Sequence, residues 1–146
     1  MSEATLYFTP ILRAKPDDAA ALTEIAFAAK RHWGYPERWI EGWRNILTVQ
    51  PEFVAKHETY AACVGGRPVG FYSLSRKSDA MSLERLWVLP EMMRKGVGLA
   101  LFAHAVERAR ALGFANLEIE SDPNAARCSS TETIFCKRRF ETFRLS

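Results

Sequence analysis

The sequence predicts a mixed α/β fold in a single domain over residues 1–146, and three observations support this prediction. The chain has 146 residues, which fits one domain at the usual ~100–200 residues per domain. Hydrophobic residues make up 48% and charged residues 25% of the chain, so collagen-like, coiled-coil and largely disordered chains are excluded. Apolar residues recur with helical spacing in some segments and with strand spacing in others. The predicted element order is β-α-α-β-β-β-α-β.

The first three predicted elements are one strand and two helices. Residues 11–14 form a short apolar run that ends before Pro16, which predicts a strand. The first helix runs to Lys30, and its apolar stripe has the spacing i, i+3, i+4, i+7: Leu22, Ile25, Ala26 and Ala29. A second apolar stripe predicts a helix that stops before Pro51: Trp39, Ile40, Trp43, Ile46 and Leu47.

The middle of the chain has strand character. Two short extended runs, 60–64 and 68–74, are joined by Gly65-Gly66, which predicts a β-hairpin. A third strand over 81–89 alternates one set of side chains, Leu83, Arg85, Trp87 and Leu89, with a second set, Glu84, Leu86 and Val88. The next helix begins near Gly98 and ends at Gly113, and a strand follows over 117–121. The strand-helix-strand portion predicts one parallel pair of strands.

A candidate anion site lies between the third strand and the following helix. The strand ends at Pro90, and a basic loop with Arg94 and Lys95 leads through Gly96 and Gly98 into the helix. The first N–H groups of a helix have no partner within the helix, and glycine lets a phosphate approach the backbone closely. The spacing differs from a P-loop and from the three-glycine dinucleotide fingerprint. This segment predicts binding of a phosphate-bearing ligand.

Three segments together resemble the GNAT superfamily of acyl-CoA-dependent N-acyltransferases. They are residues 84–91, the loop Lys95-Gly96-Val97-Gly98, and Glu120-Ser121-Asp122-Pro123-Asn124-Ala125. The resemblance covers about residues 10–127 and implies a twisted mixed sheet with acetyl-CoA as co-substrate and no metal. It implies that the strand backbone binds the pantetheine arm at Leu86, Trp87 and Val88, and that Asn124 contacts CoA. It implies that the loop and helix start bind the pyrophosphate: Arg94, Lys95, Gly96, Val97, Gly98 and Leu99.

The chain departs from the family pattern in two places. Met93 stands where the family usually has Gln or Arg, and Arg94 stands where it often has glycine. Beyond residue 127, the positions of the family's Phe-Tyr pair fall on Cys128 and Ser129, and no tyrosine occurs after Tyr72. The tyrosine that often protonates the leaving thiolate is therefore missing. We expect residues 128–146 to be an atypical tail whose helix and strand are altered or absent, and hypothesise a change of coding frame near residue 128.

Catalysis requires a group that accepts a proton from the acceptor ammonium. The predicted catalytic carboxylates are Glu120, which shares a strand face with Glu118, and Glu84 on the strand before the loop. The alternative is that these carboxylates are only solvated. We expect a backbone N–H near Val88-Leu89 to stabilise the oxyanion.

An aromatic segment over residues 32–43 is the predicted acceptor side. Trp33 and Tyr35 are the candidate substrate walls, whereas Trp39 and Trp43 are expected in the core. A carboxylate at Glu37 or Glu41 could receive an ammonium group. His104 is expected on a solvated helix face.

The sequence therefore predicts an N-acetyltransferase that acts by direct transfer in a ternary complex, with a CoA-binding module that has lost catalysis as the alternative. The acceptor is a small-molecule or protein amine. The net charge of +3 lies mostly in the tail, and its basic cluster 137–139 is expected to be solvated and not to bind nucleic acid. No apolar run reaches the ~18–20 residues of a membrane span, so no membrane partner and a cytoplasmic location are expected. A homodimer is left open.

Overall fold

The computed structural model describes residues 10–77, 80–120 and 140–144. Six strands form one sheet in chain order: β1 (Ile11–Arg13), β2 (Glu58–Val64), β3 (Arg67–Arg76), β4 (Met81–Val88), β5 (Asn116–Glu120) and β6 (Phe140–Arg144). Neighbouring strands are antiparallel except β4 and β5, which are parallel. The predicted mixed α/β fold and its one parallel pair are confirmed.

In the described ranges, five α-helices accompany the sheet: α1 (Ala19–His32), α2 (Glu37–Gly42), α3 (Arg44–Leu47), α4 (Pro51–Lys56) and α5 (Val97–Ala111). The second predicted helix is in fact two short helices that meet at Trp43. Helix α4 was not predicted, because Pro51 was interpreted as the end of a helix. Proline is also favoured in the first turn, where its missing N–H needs no partner. None of the helices in the described ranges is long and apolar enough to cross a membrane.

Helices cover both faces of the sheet. On one face, here called the α5 face, Leu101, Ala105 and Ala109 of α5 pack against buried residues of the central strands such as Tyr72 and Leu117. On the other, here called the α1 face, helices α1 to α4 pack on Ala61 and Phe71 through a second apolar cluster. The predicted stripe of α1 lies in this second cluster: Leu22, Ile25 and Ala26 are all buried. Burial of both faces explains why the central strands are so apolar.

A β-bulge in β4 changes which face its side chains occupy. Ser73 of β3 pairs with Arg85, but the next residue, Leu74, pairs with Leu83, so Glu84 is an extra residue in the ladder. Leu83 and Val88 consequently both pack on the α5 face. The predicted strict alternation along this strand is therefore wrong, because the bulge shifts the period by one residue.

The C-terminal end of the chain contributes a strand to the sheet. Five consecutive residue pairs join β6 to β5, from Asn116 with Arg144 to Glu120 with Phe140. The final strand was expected to be altered or absent, and its absence is contradicted by this pairing. Phe-Glu-Thr-Phe-Arg is rich in residues that favour strands, and a backbone ladder forms without any family motif. Residues 121–139, and with them most of the predicted atypical tail, lie outside the described residues.

Candidate functional site at the β4–β5 gap

The parallel strands β4 and β5 pair over only three residues each. Met81, Ser82 and Leu83 face Leu117, Glu118 and Ile119, and the pairing ends there. Beyond this point, Glu84 is the unpaired bulge residue, and residues 85–88 pair with β3 alone among the described strands. A gap therefore opens between the two strands at the end of β4 that leads into the basic loop.

The register shows which backbone groups of β4 point into this gap. The Leu89 N–H donates to the Val69 carbonyl at 2.9 Å, and hydrogen-bonded pairs alternate along an antiparallel ladder. Trp87, two residues before Leu89, therefore directs its backbone groups to β3. Leu86 and Val88 direct their N–H and C=O groups towards the gap, where an extended ligand could pair with them as an added strand would.

The loop after β4 ends in an unsatisfied helix start. Gly96 is the N-cap residue of α5. Its φ of +88° is a backbone conformation that residues with a side chain rarely adopt. The Ala100 N–H makes the first intrahelical bond, to the Gly96 carbonyl at 3.0 Å. The N–H groups of Val97, Gly98 and Leu99 precede that bond and are therefore available to an anion.

The two basic side chains of the loop, Arg94 and Lys95, are both exposed. Arg94 has a φ of +65°, and among the described residues it is the one non-glycine residue with a positive φ. By the family resemblance, this position is often occupied by glycine, the residue that adopts a positive φ most readily. In this chain an arginine adopts the left-handed conformation.

The candidate catalytic carboxylates lie near the start of the gap. Glu84 is exposed at the bulge of β4, and Glu118 of β5 is half-buried beside Ser82. Glu120 is the last residue of β5, and its side chain lies outside the described part of the chain. Asn124 also lies outside it.

The predicted oxyanion donor was a backbone N–H near Val88-Leu89, and the structure shows which of these two N–H groups is free of the sheet. The Leu89 N–H is used by the Val69 carbonyl, whereas the Val88 N–H faces the gap. Val88 therefore supplies the better-placed donor.

Aromatic rings on the α1 face surround a lysine. The Lys30 Nζ lies 4.6 Å from the ring centroid of Trp43, 4.7 Å from that of Tyr35 and 5.7 Å from that of Trp87. These distances are in the range of cation–π interactions. Tyr35, a predicted substrate wall, thus contacts the chain's own ammonium group and lies on the same side of the sheet as the Trp87 ring.

The other aromatic residues of this segment differ from the predictions in part. Trp39 is 48% exposed, so its predicted core position is wrong, and Trp43 is half-buried against the α1-face cluster. Helix α2 is short, and its buried position is taken by Ile40. Trp33 packs edge-to-face on His32 at 5.2 Å.

The two carboxylates proposed as ammonium receptors are paired with arginines. Glu37 binds Arg31 at 2.8 Å and Glu41 binds Arg44 at 2.5 Å, both on the exposed surface. They are therefore engaged before any acceptor binds. Lys30 was not predicted at this site, because a lysine on a helix is ordinarily a solvated residue and only the fold brings the rings around it.

His104 of α5 packs against Tyr60 of β2 and Tyr72 of β3 and does not lie on a solvated helix face, so that prediction is wrong. Its Nδ1 lies 2.7 Å from the Tyr72 hydroxyl, and its ring is 4.7 Å from that of Tyr60. Burial lowers the pKa of His104, and the nearby Arg108 lowers it further. Burial also raises the pKa of Tyr72 well above its usual range. Both groups are neutral at pH 7 and belong to the packing between α5 and the sheet.

No set of three or more His, Cys, Asp or Glu side chains is arranged to hold a metal ion in the described ranges.

A family model described as the acetyltransferase (GNAT) family matches residues 19–129, which is more than half of the chain. The chain belongs to the GNAT acetyltransferase family. The match ends close to residue 127, where the resemblance was expected to stop. No curated protein sequence matches significantly.

Solved GNAT structures share this fold. The PaiA N-acetyltransferase of Thermoplasma acidophilum, in complex with coenzyme A, has a TM-score of 0.73 at 20% identity and covers 86% of this chain and 84% of its own. A GNAT acetyltransferase from Brucella melitensis, in complex with acetyl-CoA, has a TM-score of 0.65 at 19% identity, covering 94% and 88%. A GCN5-related N-acetyltransferase from Rhodopseudomonas palustris has a TM-score of 0.68 at 27% identity, covering 81% and 76%. The GNAT fold of this chain is thus one that binds CoA or acetyl-CoA in other members.

Proposed function

We propose that this protein transfers the acetyl group of acetyl-CoA directly to a primary amine of a small molecule or protein, in a ternary complex. The observation that carries the proposal is the β4–β5 gap, into which Leu86 and Val88 direct free backbone groups next to an uncapped helix start. Membership of the GNAT family and the names of its N-acetyltransferase relatives support the same activity.

In this proposal the cofactor arm pairs with the gap edge of β4. The pyrophosphate then lies at the N–H groups of Val97, Gly98 and Leu99, with Arg94 and Lys95 beside it. Asn124 is proposed as a further contact, as the resemblance implies. Acetyl-CoA supplies an activated thioester carbonyl.

The chemistry requires three events at the end of the arm. The acceptor ammonium loses a proton to a carboxylate or to water, and its lone pair attacks the thioester carbonyl. The new C–N bond forms and the C–S bond breaks. The nitrogen loses one further proton as it becomes an amide, and the leaving thiolate takes up a proton in return, so the proton count balances. The Val88 N–H is the proposed donor to the oxyanion.

The binding and activity tests use the full-length protein. Calorimetric titration with CoA and acetyl-CoA should give saturable binding, and thiol release should be measured with a panel of amines. Absence of CoA binding would contradict the proposal. Binding without turnover on any amine would favour the alternative, a CoA-binding module without catalysis, which the missing tyrosine beyond Tyr72 suggests.

Direct transfer predicts that no acetyl-enzyme accumulates. Intact-mass analysis after incubation with acetyl-CoA alone should show the unmodified chain. A stoichiometric gain of one acetyl group that an added amine removes would contradict direct transfer and indicate a covalent intermediate.

The proposed base is tested by replacing the carboxylates one at a time. A Glu84→Gln or Glu120→Gln variant that removes the base should lower kcat by ~10²–10⁴-fold. The same variant should leave CoA affinity unchanged, and Glu118→Gln serves as the matched comparison on β5. If all three variants keep wild-type kcat and pH profile, water and not a carboxylate accepts the proton.

A further inference from the structure

Arg85 lies on the α1 face of β4, directly after the bulge, and its guanidinium has no carboxylate partner among the residues that the structure describes. The guanidinium carbon lies 4.7 Å from the ring centroid of Phe53, and the side chain is half-buried. It makes no hydrogen bond or ion pair with any group in the described part of the chain. Burial lowers the pKa of Arg85, and the neighbouring Glu84 raises it to a smaller extent.

The lack of a carboxylate partner distinguishes Arg85 from Arg108, a half-buried arginine of α5. Arg108 is also half-buried, but it binds Glu58 at 3.0 Å. Removing a charge from water without a partner is costly, and proteins usually compensate it with an opposite charge. No residue in the described part of the chain supplies a compensating anion to the guanidinium of Arg85.

Two neighbouring polar groups also lack partners. Ser73 is the cross-strand neighbour of Arg85, is fully buried, and its Oγ makes no hydrogen bond within the described residues. The His57 Nδ1 is likewise buried without a partner there, and the His57 ring stacks on the same Phe53 at 4.2 Å. Burial lowers the pKa of His57, so the imidazole is neutral at pH 7.

The position of Arg85 relates it to the proposed reaction. Arg85 and Trp87 point to the same face of β4 and are two residues apart, about 6.6 Å along the strand. Leu86 and Val88, on either side of Trp87, direct their backbone groups into the gap. A small molecule could therefore reach from the guanidinium of Arg85 to the gap.

We propose that Arg85 binds a carboxylate of the acceptor, so that the acceptor is a small amino acid-like molecule with an amine and a carboxylate a few bonds apart. This inference rests on the proposed acetyltransferase function and names its substrate class. Arg85 forms the charged end of the acceptor site, and the amine is directed to the gap. The carboxylates nearest in the sheet are the exposed Glu84, at the bulge before Arg85, and the half-buried Glu118, which pairs with Ser82.

The test compares matched acceptors that differ in the carboxylate alone. The twenty free amino acids are assayed with acetyl-CoA against their carboxamides and against peptides with an internal Asp or Glu. The wild type should acetylate at least one free amino acid with a kcat/KM at least tenfold above that of its carboxamide. Equal values for acid and amide would overturn the proposal, as would a preference for the acidic peptides.

The variants separate recognition from folding. Arg85→Met should lower kcat/KM for the preferred amino acid by ~10–150-fold, as expected for one charged hydrogen-bonded contact, and leave that of the carboxamide within threefold. Arg85→Lys should retain part of the preference. Arg76→Met is the matched control, because Arg76 also covers a phenylalanine ring, that of Phe114 at 4.9 Å, but is exposed. Equal losses for acid and amide in Arg85→Met would show a structural role and overturn the proposal.

A binding measurement keeps this inference separate from the proposed function. In the CoA complex, the ¹⁵N-labelled Arg85 side-chain Nε–H signal should shift on titration with the amino acids and not with their carboxamides. If the wild type acetylates no amine but this shift occurs, the proposed function fails and the carboxylate site stands. If no amino acid produces the shift, the carboxylate site fails.

Discussion

At the scale of single residues, Arg94 combines two effects that substitutions can separate. Its φ of +65° is a conformation that costs an L residue ~1–2 kcal/mol, and its side chain adds positive charge to the loop. The chain thus combines an unfavourable backbone conformation with a charge near the helix start that the proposed function assigns to phosphate binding. The family resemblance marked this position in the sequence, but only the structure shows that Arg94 adopts a left-handed conformation.

We predict opposite effects of Arg94→Gly on stability and on CoA binding. Glycine relieves the backbone strain, so the free energy of unfolding should rise by about 1 kcal/mol, whereas CoA affinity should fall because the charge is lost. Arg94→Ala loses the same charge but keeps the strain, so it should match Arg94→Gly in affinity and not in stability. Urea unfolding and calorimetry measure the two quantities. Equal free energies of unfolding for Arg94→Gly and Arg94→Ala would show that the positive φ at residue 94 does not cost stability.

Residue environments were predictable where local sequence determines them. Gly96 and the helix start follow from the loop pattern, and Leu22 and Ile25 from the helical spacing. The environment of His104 was not predictable, because its partner Tyr72 lies 32 positions away in sequence. Lys30 is a similar case, since Trp87 reaches it from a different element.

At the scale of elements, β4 uses its two edges differently. One edge bonds to β3, and the other presents the Leu86 and Val88 backbone groups to the gap. A strand position whose N–H is not used in the ladder tolerates proline. This difference gives a backbone test of the proposed cofactor site.

We predict that Leu86→Pro weakens acetyl-CoA binding more than Leu86→Ala. Both variants lose the leucine side chain, but only proline also removes the N–H that faces the gap. The loss of one hydrogen bond, ~1–1.5 kcal/mol, corresponds to roughly a fivefold to twelvefold higher Kd for proline relative to alanine. Calorimetry measures Kd, and circular dichroism checks that both variants are folded. Equal Kd values would mean that this N–H does not bind the cofactor arm.

The contact between α5 and the sheet makes stability depend on pH. The pKa of His104 is lowered by burial and by Arg108, so the folded protein holds this proton less tightly than the unfolded chain, whose imidazole pKa is about 6.5. The neutral imidazole is the form that the fold stabilises. Its contribution is therefore fully present above pH ~6.5 and is lost as the pH falls through the folded pKa.

We predict that His104→Gln reduces the loss of stability on acidification. The wild type should lose more of its free energy of unfolding between pH 7.5 and pH 5.5 than this variant. His57, whose pKa burial also lowers, should contribute a remaining slope of the same sign in both proteins. Urea unfolding at the two pH values measures the difference. Identical slopes would show that His104 does not contribute.

Element boundaries were predicted less well than element types. The hairpin at Gly65-Gly66 and the order of the strands followed from periodicity and turn residues. The bulge at Glu84 was not predictable, because an extra residue in a ladder is defined by the partner strand and not by its own sequence. The same holds for β6, whose pairing with β5 depends on a strand far away in the chain.

At the scale of the whole molecule, the sheet consists of two parts with a short connection. The antiparallel strands β1 to β4 form one part and the pair β5–β6 the other, and three residue pairs between β4 and β5 join them. Periodicity predicted that β4 and β5 would be parallel neighbours, but not where their pairing would stop. The location of the gap is thus a property of the whole sheet.

In the proposed complex with acetyl-CoA, this short connection gives the donor arm a structural role as well as a chemical one. A ligand arm that hydrogen-bonds along β4 and fills the gap connects the two parts of the sheet. A ligand at concentration [L] with dissociation constant Kd raises the free energy of unfolding by RT ln(1 + [L]/Kd). We predict that saturating CoA raises Tm and slows amide hydrogen exchange in β5, beyond the residues that touch the ligand. Exchange that slows in the loop alone would show that the two parts are already rigidly joined by α5. Slower exchange throughout β5 would show that the bound arm, and not α5 alone, holds the two parts of the sheet together.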